Sequence, residues 1–482
     1  MTALRWITPL FFALLLNPNA SAQPKKPLAI EDLYLMESVK SPTLFPKEEK
    51  LVYERVWIDA RTKEERHSLW LVEGKRENKK PLEKDEPDGR NPVVSPDGQW
   101  IAFLSTRPYR IEHGGGKRTL RPLFEPPIPA YSDPGVDLWL YNVKKNFALP
   151  LGEGERTWGH VFHDGFYGRV AFSPDSKRLV FVADDGKDRR TREERELGIE
   201  IVRPDQGEGY TGYGPAQIWI ADLAQEKATR VTDDDIWYGD PQWSPDGKSL
   251  VVVANKTKDR ESVRFSINKN FDLYQIDLAT KKQTQLTTNP GPDVSPRWSP
   301  DGKQIAYLSV PRNGPHRDVF NVSLVALNES RAVPRTIYEM HGKAVWERLS
   351  GFPAFPLPDD CWSSSRILQF VTEIGARSGT HAIDVESGKS VAITRFSNSE
   401  RKQELIPRTN EFLERRFKAK SIAGVWTNKE WKDFKLEMVW TIPPVEVATP
   451  PYKLIVYPHG GPHSRSTLGY DFTVQLFAAH GY

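Results

Sequence analysis

Ser244-Pro245-Asp246-Gly247 runs directly into Lys248-Ser249-Leu250-Val251-Val252-Val253-Ala254, and this phrase decides the fold because the 482-residue chain repeats it. Ser95-Pro96-Asp97-Gly98 leads into Ile101-Ala102-Phe103-Leu104, Ser173-Pro174-Asp175-Ser176 into Leu179-Val180-Phe181-Val182, and Ser299-Pro300-Asp301-Gly302 into Ile305-Ala306-Tyr307-Leu308. The copies begin 78, 71 and 55 residues apart. Self-similarity over such periods marks an architecture built from one repeated supersecondary unit. Proline presets φ at the second turn position, and glycine takes the left-handed position that closes a hairpin. A run rich in Val, Ile, Leu and Phe then reads as a strand.

A second hairpin trails each unit. Asp137-Leu138-Trp139-Leu140-Tyr141 leads to Phe147-Ala148-Leu149, Gln217-Ile218-Trp219-Ile220-Ala221 to Thr229-Arg230-Val231-Thr232, and Phe271-Asp272-Leu273-Tyr274-Gln275-Ile276 to Gln283-Thr284-Gln285-Leu286-Thr287. Each block is therefore four antiparallel strands, the signature of a β-propeller blade. Weaker units flank these: Leu51 to Trp57 with Ser68 to Val72 make an early blade, and Ile367 to Val371 with His381 to Val385 a late one. Six to eight blades fit between about residues 28 and 415, without the WD40 signature. An array of β-sandwiches is the competing architecture. Residues 106–136 and 185–216, between second and third strands, are long, while 256–270 is shorter. Equivalent loops leave a propeller on one face, where insertions often build a binding surface.

Composition agrees with a mainly β, globular chain: 38% hydrophobic, 11% aromatic, with 33 Gly and 39 Pro. The formal net charge of +3 argues against nucleic-acid or anionic-membrane partners. Cys361 is the single cysteine, which excludes an intrachain disulfide and a cysteine metal cage. Arg5, the apolar run Trp6 to Leu16 and Ala20-Ser21-Ala22 have the order of a cleavable export signal over residues 1–22. The apolar run is too short for a bilayer core of about 30 Å, so the expectation is an exported protein, periplasmic or extracellular, without a stable membrane anchor.

Around residue 416 the pattern changes. Ser421 to Trp426 and Phe434 to Trp440 read as a strand pair, followed by a proline-rich link from Ile442 to Pro451. Lys453-Leu454-Ile455-Val456-Tyr457 is a continuous apolar run suited to a buried strand. It enters Pro458-His459-Gly460-Gly461-Pro462-His463-Ser464, and Phe472 to His480 read as a helix ending at Gly481. A strand followed by His-Gly-Gly is where an α/β-hydrolase places half of its oxyanion hole. Backbone N–H groups must approach a negative tetrahedral oxygen closely, and side chains there would obstruct them.

Propeller, strand pair and His459-Gly460-Gly461-Pro462, in that order, resemble the prolyl oligopeptidase family of serine peptidases, and most closely its acylaminoacyl-peptidase and dipeptidyl-peptidase-like members. The repeat by itself is shared with TolB-like binding propellers. The resemblance implies a six- to eight-bladed propeller over 23–415 and the beginning of an α/β-hydrolase domain over 416–482. It further implies a Ser-His-Asp acyl-enzyme mechanism on short peptides, with the propeller gating access and no cofactor. Gly460 and Gly461 are then the oxyanion-hole candidates. Some members hold the substrate α-amino group with paired propeller glutamates, a role Glu193 and Glu194 fit by composition; a solvated, salt-bridged helix is the competing reading.

The chain departs from the family pattern in having no Gly-x-Ser-x-Gly elbow. Gly375-Ala376-Arg377-Ser378-Gly379 has the wrong spacing. Residues 416–482 are also few against the roughly 200 of a complete hydrolase sheet. The expectation is a C-terminally truncated chain without its triad, inactive by itself and prone to aggregate through uncovered sheet edges. The alternative function is a non-catalytic periplasmic propeller that binds peptides or proteins. Three further constellations are read as structural: His160 with His163, Asp233-Asp234-Asp235, and the loop tip His113-Gly114-Gly115-Gly116-Lys117, none with the spacing of a metal or phosphate site.

Overall fold

The Ser-Pro-Asp-Gly phrase closes its hairpin with one set of hydrogen bonds, used four times. Ser95 Oγ donates to Asp97 Oδ1 at 2.6 Å and accepts from Trp100 N–H at 2.9 Å, while Asp97 Oδ1 also accepts Gln99 N–H at 3.0 Å. Ser173 with Asp175, Ser244 with Asp246 and Ser299 with Asp301 repeat the pair at 2.5, 2.6 and 2.6 Å. The serine bond, first among the causes, holds the carboxyls of Asp175, Asp246 and Asp301 below the ordinary value. The fourth turn position is left-handed in each copy, at φ +72° for Gly98, +69° for Gly247 and +70° for Gly302. Ser176 adopts +60° there, and its Oγ accepts the N–H of Asp97 from the neighbouring turn at 3.0 Å.

The computed structural model describes residues 25–108, 110–113, 117–120, 136–151, 157–163, 168–187, 191–197, 214–225, 227–257, 270–310, 321–327, 334–339, 357–374, 377–391, 399–427, 430, 435–458 and 466–482. Within them, six antiparallel sheets of three or four strands follow one another along the propeller region, each with its strands in chain order, and a two-stranded hairpin, Arg110–His113 with Lys117–Leu120, stands in the long connection of the second. The first is Glu37–Leu44, Lys50–Ile58, Glu65–Glu73 and Lys79–Pro81. The second is Arg90–Val94, Trp100–Ser105, Asp137–Asn142 and Phe147–Pro150, and the third Val170–Phe172, Arg178–Ala183, Gln217–Asp222 and Lys227–Arg230. The fourth is Tyr238–Trp243, Ser249–Ala254, Asp272–Asp277 and Gln283–Gln285; the fifth is Asp293–Trp298, Gln304–Ser309, Asn321–Ala326 and Pro334–Tyr338. The sixth has Ile367–Ile374, Arg377–Asp384 and Lys389–Ser390, with Trp362 bridging Leu368 in the place of a first strand.

This is the repeated four-stranded unit of a propeller, and the chain is mainly β as expected. Arg377, Ser378 and Gly379 of that Gly-Ala-Arg-Ser-Gly stretch fall within the strand Arg377–Asp384 of the sixth sheet. Among the described residues no strand joins the first sheet to the sixth. The short helix α1 (Arg192–Leu197) lies in the long connection of the third sheet. A later helix, α2 (Ser399–Leu405), packs its Leu405 on Leu51, Tyr53 and Val72 of the first sheet.

Two devices shape the first strand of the sheets. Ser41, Asn91, Asp240 and Ser295 have φ of 48°, 48°, 42° and 57°, and each is followed by a proline: Pro42, Pro92, Pro241 and Pro296. The pairing register slips across each of these positions, so all four are β-bulges. Beyond the bulge, an indole reaches back to the preceding sheet. Trp243 Nε1 donates to Ala171 O at 3.1 Å, Trp298 to Gln242 O at 3.3 Å and Trp362 to Arg297 O at 3.2 Å. Successive sheets are thus stapled through their first strands. Trp243→Phe keeps most of the apolar contact but deletes one inter-sheet bond. It is expected to lower unfolding free energy by about 1–2 kcal/mol, read from the urea midpoint at unchanged slope.

The apolar inner residues of these strands form the core. Val180, Val252, Ile305, Leu324 and Leu368 are buried in a cluster that runs from the third sheet to the sixth, and Cys361 is buried within it. Burial pushes the Cys361 thiol up to about 12, as for an inert packed thiol.

Candidate functional site

The passage from the propeller to the last 67 residues (416–482) is tied down by polar contacts from both ends of the propeller region. Lys26 N–H donates to Arg415 O at 3.0 Å and Phe417 N–H donates to Lys26 O at 2.9 Å, a parallel bridge. Arg416 grips the buried Asp32 with two bonds, Nε at 2.7 Å and Nη2 at 2.6 Å. Asn410 pairs with both backbone groups of Glu37, accepting its N–H at 2.8 Å and donating to its carbonyl at 2.9 Å. The Arg416 bonds hold the Asp32 carboxyl below its ordinary value against the opposing effect of burial.

Beyond this junction, Lys420–Thr427 and Lys435–Ile442 pair as the expected antiparallel hairpin. Helix α3 (Phe472–Ala478) begins where Asp471 Oδ1 accepts the N–H of Val474 at 3.0 Å, and Gly481 beyond it is left-handed at φ +87°. Gln475 fixes the helix against the hairpin's root: its Oε1 accepts Ala419 N–H at 2.9 Å and its Nε2 donates to Ala419 O at 3.2 Å. Hairpin, helix and the segment 452–457 enclose a cavity of about 660 Å³. Trp440, Ile455, Tyr457, Ser466, Tyr470 and Gln475 are among its walls. Tyr457 and Ser466 are the lining residues that stand on either side of His459-Gly460-Gly461-Pro462 in the sequence. Gly460 and Gly461 themselves lie outside the described residues.

The run Lys453 to Tyr457 is not buried as its composition led us to expect. Among the described residues it pairs with no strand, and Leu454, Val456 and Tyr457 are 70%, 79% and 66% exposed. An apolar strand is buried only if something covers it, and these three side chains stay largely uncovered. Val425, Trp426, Leu436 and Val445 extend the exposed apolar surface. An unpaired apolar edge of this kind recruits other chains. The 482-residue chain is expected to run as a broad oligomer in size exclusion with light scattering, and Leu454→Lys with Val456→Lys should shift most of it to monomer.

The propeller candidates sit elsewhere. Glu193 is exposed on α1, where Arg192 Nε pairs with Glu196 at 2.7 Å on the solvent side. Glu194 lies on the same helix, and its side chain is outside the described set. What the sequence reading missed is how the loop carrying α1 is anchored. Asp184 Oδ1 accepts the N–H groups of His160 at 2.7 Å and Gly186 at 3.0 Å, and Oδ2 accepts Gly214 N–H at 3.0 Å. Gly186 and Gly214 bracket the insertion, so one buried carboxylate holds both of its ends. His160 stands edge-on to Phe162, and its ring centre is 6.3 Å from that of His163. Among the described residues no group of three or more His, Cys, Asp or Glu is arranged to hold a metal ion. Asp234 accepts the Tyr238 hydroxyl at 2.8 Å, a structural use of the Asp233–Asp235 run. No described helix is long and apolar enough to cross a membrane.

A family model of the TolB β-propeller domain matches residues 214–342. The acylamino-acid-releasing enzyme of Sus scrofa is 23% identical over 287 residues, covering 54% of this chain and 38% of that protein. Dipeptidyl-peptidase 5 of Porphyromonas gingivalis is 22% identical over 332 residues, covering 63% of this chain and 42% of that protein. The chain thus spans less than half the length of these two relatives. The Tol-Pal system protein TolB of Alcanivorax borkumensis is 32% identical over 100 residues, or 21% of this chain and 20% of that protein. Among solved structures, the Pyrococcus horikoshii acylaminoacyl peptidase superposes with a TM-score of 0.52 at 15% identity, covering 93% of this chain and 64% of that one, a likeness of fold.

Proposed function

We propose that this chain, a homologue of the acylamino-acid-releasing enzyme and of dipeptidyl-peptidase 5 in the prolyl oligopeptidase family, is the propeller and leading hydrolase segment of an exported serine peptidase. The observation that carries the reading is the order of parts. A repeat-built propeller is followed by a strand pair, then by the apolar run Lys453 to Tyr457, and next in the sequence by His459-Gly460-Gly461. Matches to two peptidases, each over more than half of this chain, support the same reading.

In this reading Gly460 and Gly461 present backbone N–H groups to the oxyanion of a tetrahedral intermediate. A serine, activated by a histidine that an aspartate orients, forms the acyl-enzyme. These three residues are to be sought in the whole protein, because residues 416–482 contain no Gly-x-Ser-x-Gly elbow. The propeller limits access, so the substrates are short peptides. In the same reading Glu193 and Glu194, carried on the insertion whose ends Asp184 holds, are the two carboxylates that would receive a substrate ammonium group.

A fluorophosphonate probe tests the reading. The whole protein should be labelled on one serine, and the 482-residue chain should not be labelled. Labelling of the 482-residue chain would overturn the assignment of the triad outside it. Absence of labelling in the folded whole protein would favour a TolB-like binding propeller.

A further inference from the structure

Four charged side chains from four successive sheets form a closed ring. Arg169 precedes the first strand of the third sheet, Asp240 is the bulge residue of the fourth, Arg297 follows the bulge of the fifth, and Asp359 precedes the sixth. Arg169 Nη1 is 3.7 Å from Asp240, Arg297 Nη1 is 3.3 Å from Asp240, Arg297 Nε is 3.2 Å from Asp359, and Arg169 Nη2 is 2.5 Å from Asp359. The last contact joins the third sheet directly to the sixth, across the two between them. A chain of pairs that passes through sheets three, four, five and six and then returns to three requires their first strands to surround one axis. The ring therefore lies across the axial passage of the propeller.

Its burial has a direction. Arg297 is 6% exposed and Asp240 16%, whereas Asp359 keeps 68% of its side-chain exposure. Burial raises its pKa, and Arg169 and Arg297 outweigh that and hold the carboxyl at about 2. Asp359 is thus the exposed member of the ring, held by two guanidinium groups that are 19% and 6% exposed. Lys402 of α2, packed on the first sheet, also favours the ionised carboxyl. The ring carries two positive and two negative charges, so it fills the axis without burying net charge. Leu357 N–H donates to Ser295 Oγ at 2.8 Å and fixes the segment bearing Asp359 to the bulge of the fifth sheet.

We propose that the Arg169–Asp240–Arg297–Asp359 ring is a latch that closes the axial passage of the propeller, with Asp359 as the member whose release opens it. This deepens the reading that the propeller limits access and rests on that reading only for its consequence to peptide hydrolysis. Opening leaves Arg297 paired with Asp240, so the fifth and fourth sheets stay joined while the third and sixth part.

Cys361, two residues from Asp359, fully buried and the chain's single cysteine, is a built-in reporter. The 482-residue chain is labelled with a small maleimide under native conditions, while unfolding is followed separately by far-ultraviolet circular dichroism. Asp359→Asn and Arg169→Gln should each raise the labelling rate at least tenfold with a melting curve close to wild type. Arg366→Ala, which breaks the exposed pairs of the same sheet with Asp384 and Glu386, should leave it unchanged. If one axial variant is too unstable to read, the other decides. A labelling rate equal to wild type in a folded axial variant overturns the latch, as does a rise no greater than the rise in global unfolding. Because the readout is thiol exposure and not hydrolysis, its failure is separate from any failure of fluorophosphonate labelling.

Discussion

Gly159→Ala is expected to destabilise the chain by about 4 kcal/mol or more. A Cβ at this position would stand 2.0 Å from Asp184 Oδ1, 2.3 Å from Gly186 Cα and 2.4 Å from Gly186 N. Two of these three neighbours are backbone atoms, which cannot rotate away as a flexible side chain would. The displaced carboxylate accepts three N–H groups, each a charge-assisted bond contributing roughly 1.5–3 kcal/mol. Gly388→Ala is the matched control. A Cβ there meets nothing within 4 Å, and its only cost is the left-handed φ of +67°, about 1 kcal/mol. Chemical denaturation of both variants reads the difference. The Gly159 variant should also be cut faster by protease within 185–213, because the carboxylate that fixes both ends of that insertion has moved. A midpoint for Gly159→Ala within 1 kcal/mol of the control would refute this account of Asp184.

The second large effect concerns Asp272 and Asp293, at the starts of strands in the fourth and fifth sheets. Burial is the main cause that pushes both carboxyls up to about 7. Around Asp272 stand Thr287 Oγ1 at 3.3 Å and Gln285 Nε2 at 3.1 Å. Asp293 is fully buried beside Ser309, Thr287 and Asn289, with Tyr307 and Asp272 the titratable groups that sense or affect it. Between the ordinary carboxylate value of 3.8 and about 7, the unfolded chain has released these protons and the folded chain retains them. Raising pH through that window therefore favours unfolding, and the loss levels off above about 7. Stability should fall by roughly 3 kcal/mol for each carboxyl, about 6 kcal/mol for the two, from pH 4 to pH 7 on this account. Asp293→Asn, neutral at every pH, should remove roughly half of that fall. Below pH 4 the opposite trend sets in as Asp32, whose carboxyl Arg416 holds low, takes up its proton and loses its partner. Urea midpoints of wild type and Asp293→Asn at pH 4, 5.5, 7 and 8 test the sign; parallel curves would refute it.

Much of the fold was legible because the turn chemistry is local. Ser, Asp and Gly of each Ser-Pro-Asp-Gly turn bond within six residues of one another, so the pattern survives in the linear sequence. The flanking sheets were legible from apolar runs such as Leu51 to Trp57. The bulges were also on view: Asn91-Pro92, Asp240-Pro241 and Ser295-Pro296 each stand four residues ahead of the turn serine, a spacing that a search for turns alone passes over. The ion ring was not legible, because Arg169 and Asp359 are 190 residues apart and meet only through the arrangement of whole sheets. Nor was the exposure of Leu454 and Val456, since composition reports what a strand needs and not whether anything supplies it. Of the candidate residues, Glu193 is exposed on α1, where Arg192 pairs with Glu196, while Gly460 and Gly461 lie outside the described residues.

The left-handed residue and proline at the start of four sheets have a consequence for how the sheets stay separate. The first strand is the inner margin of each sheet, and its partner-seeking groups face a neighbour only a few ångströms away. Proline offers no N–H there, and the bulge turns the remaining groups out of register. Neighbouring sheets can then be held by indole staples without zipping into one continuous ribbon. Among the described residues each sheet pairs only within itself, and none shares a ladder with the sheet beside it.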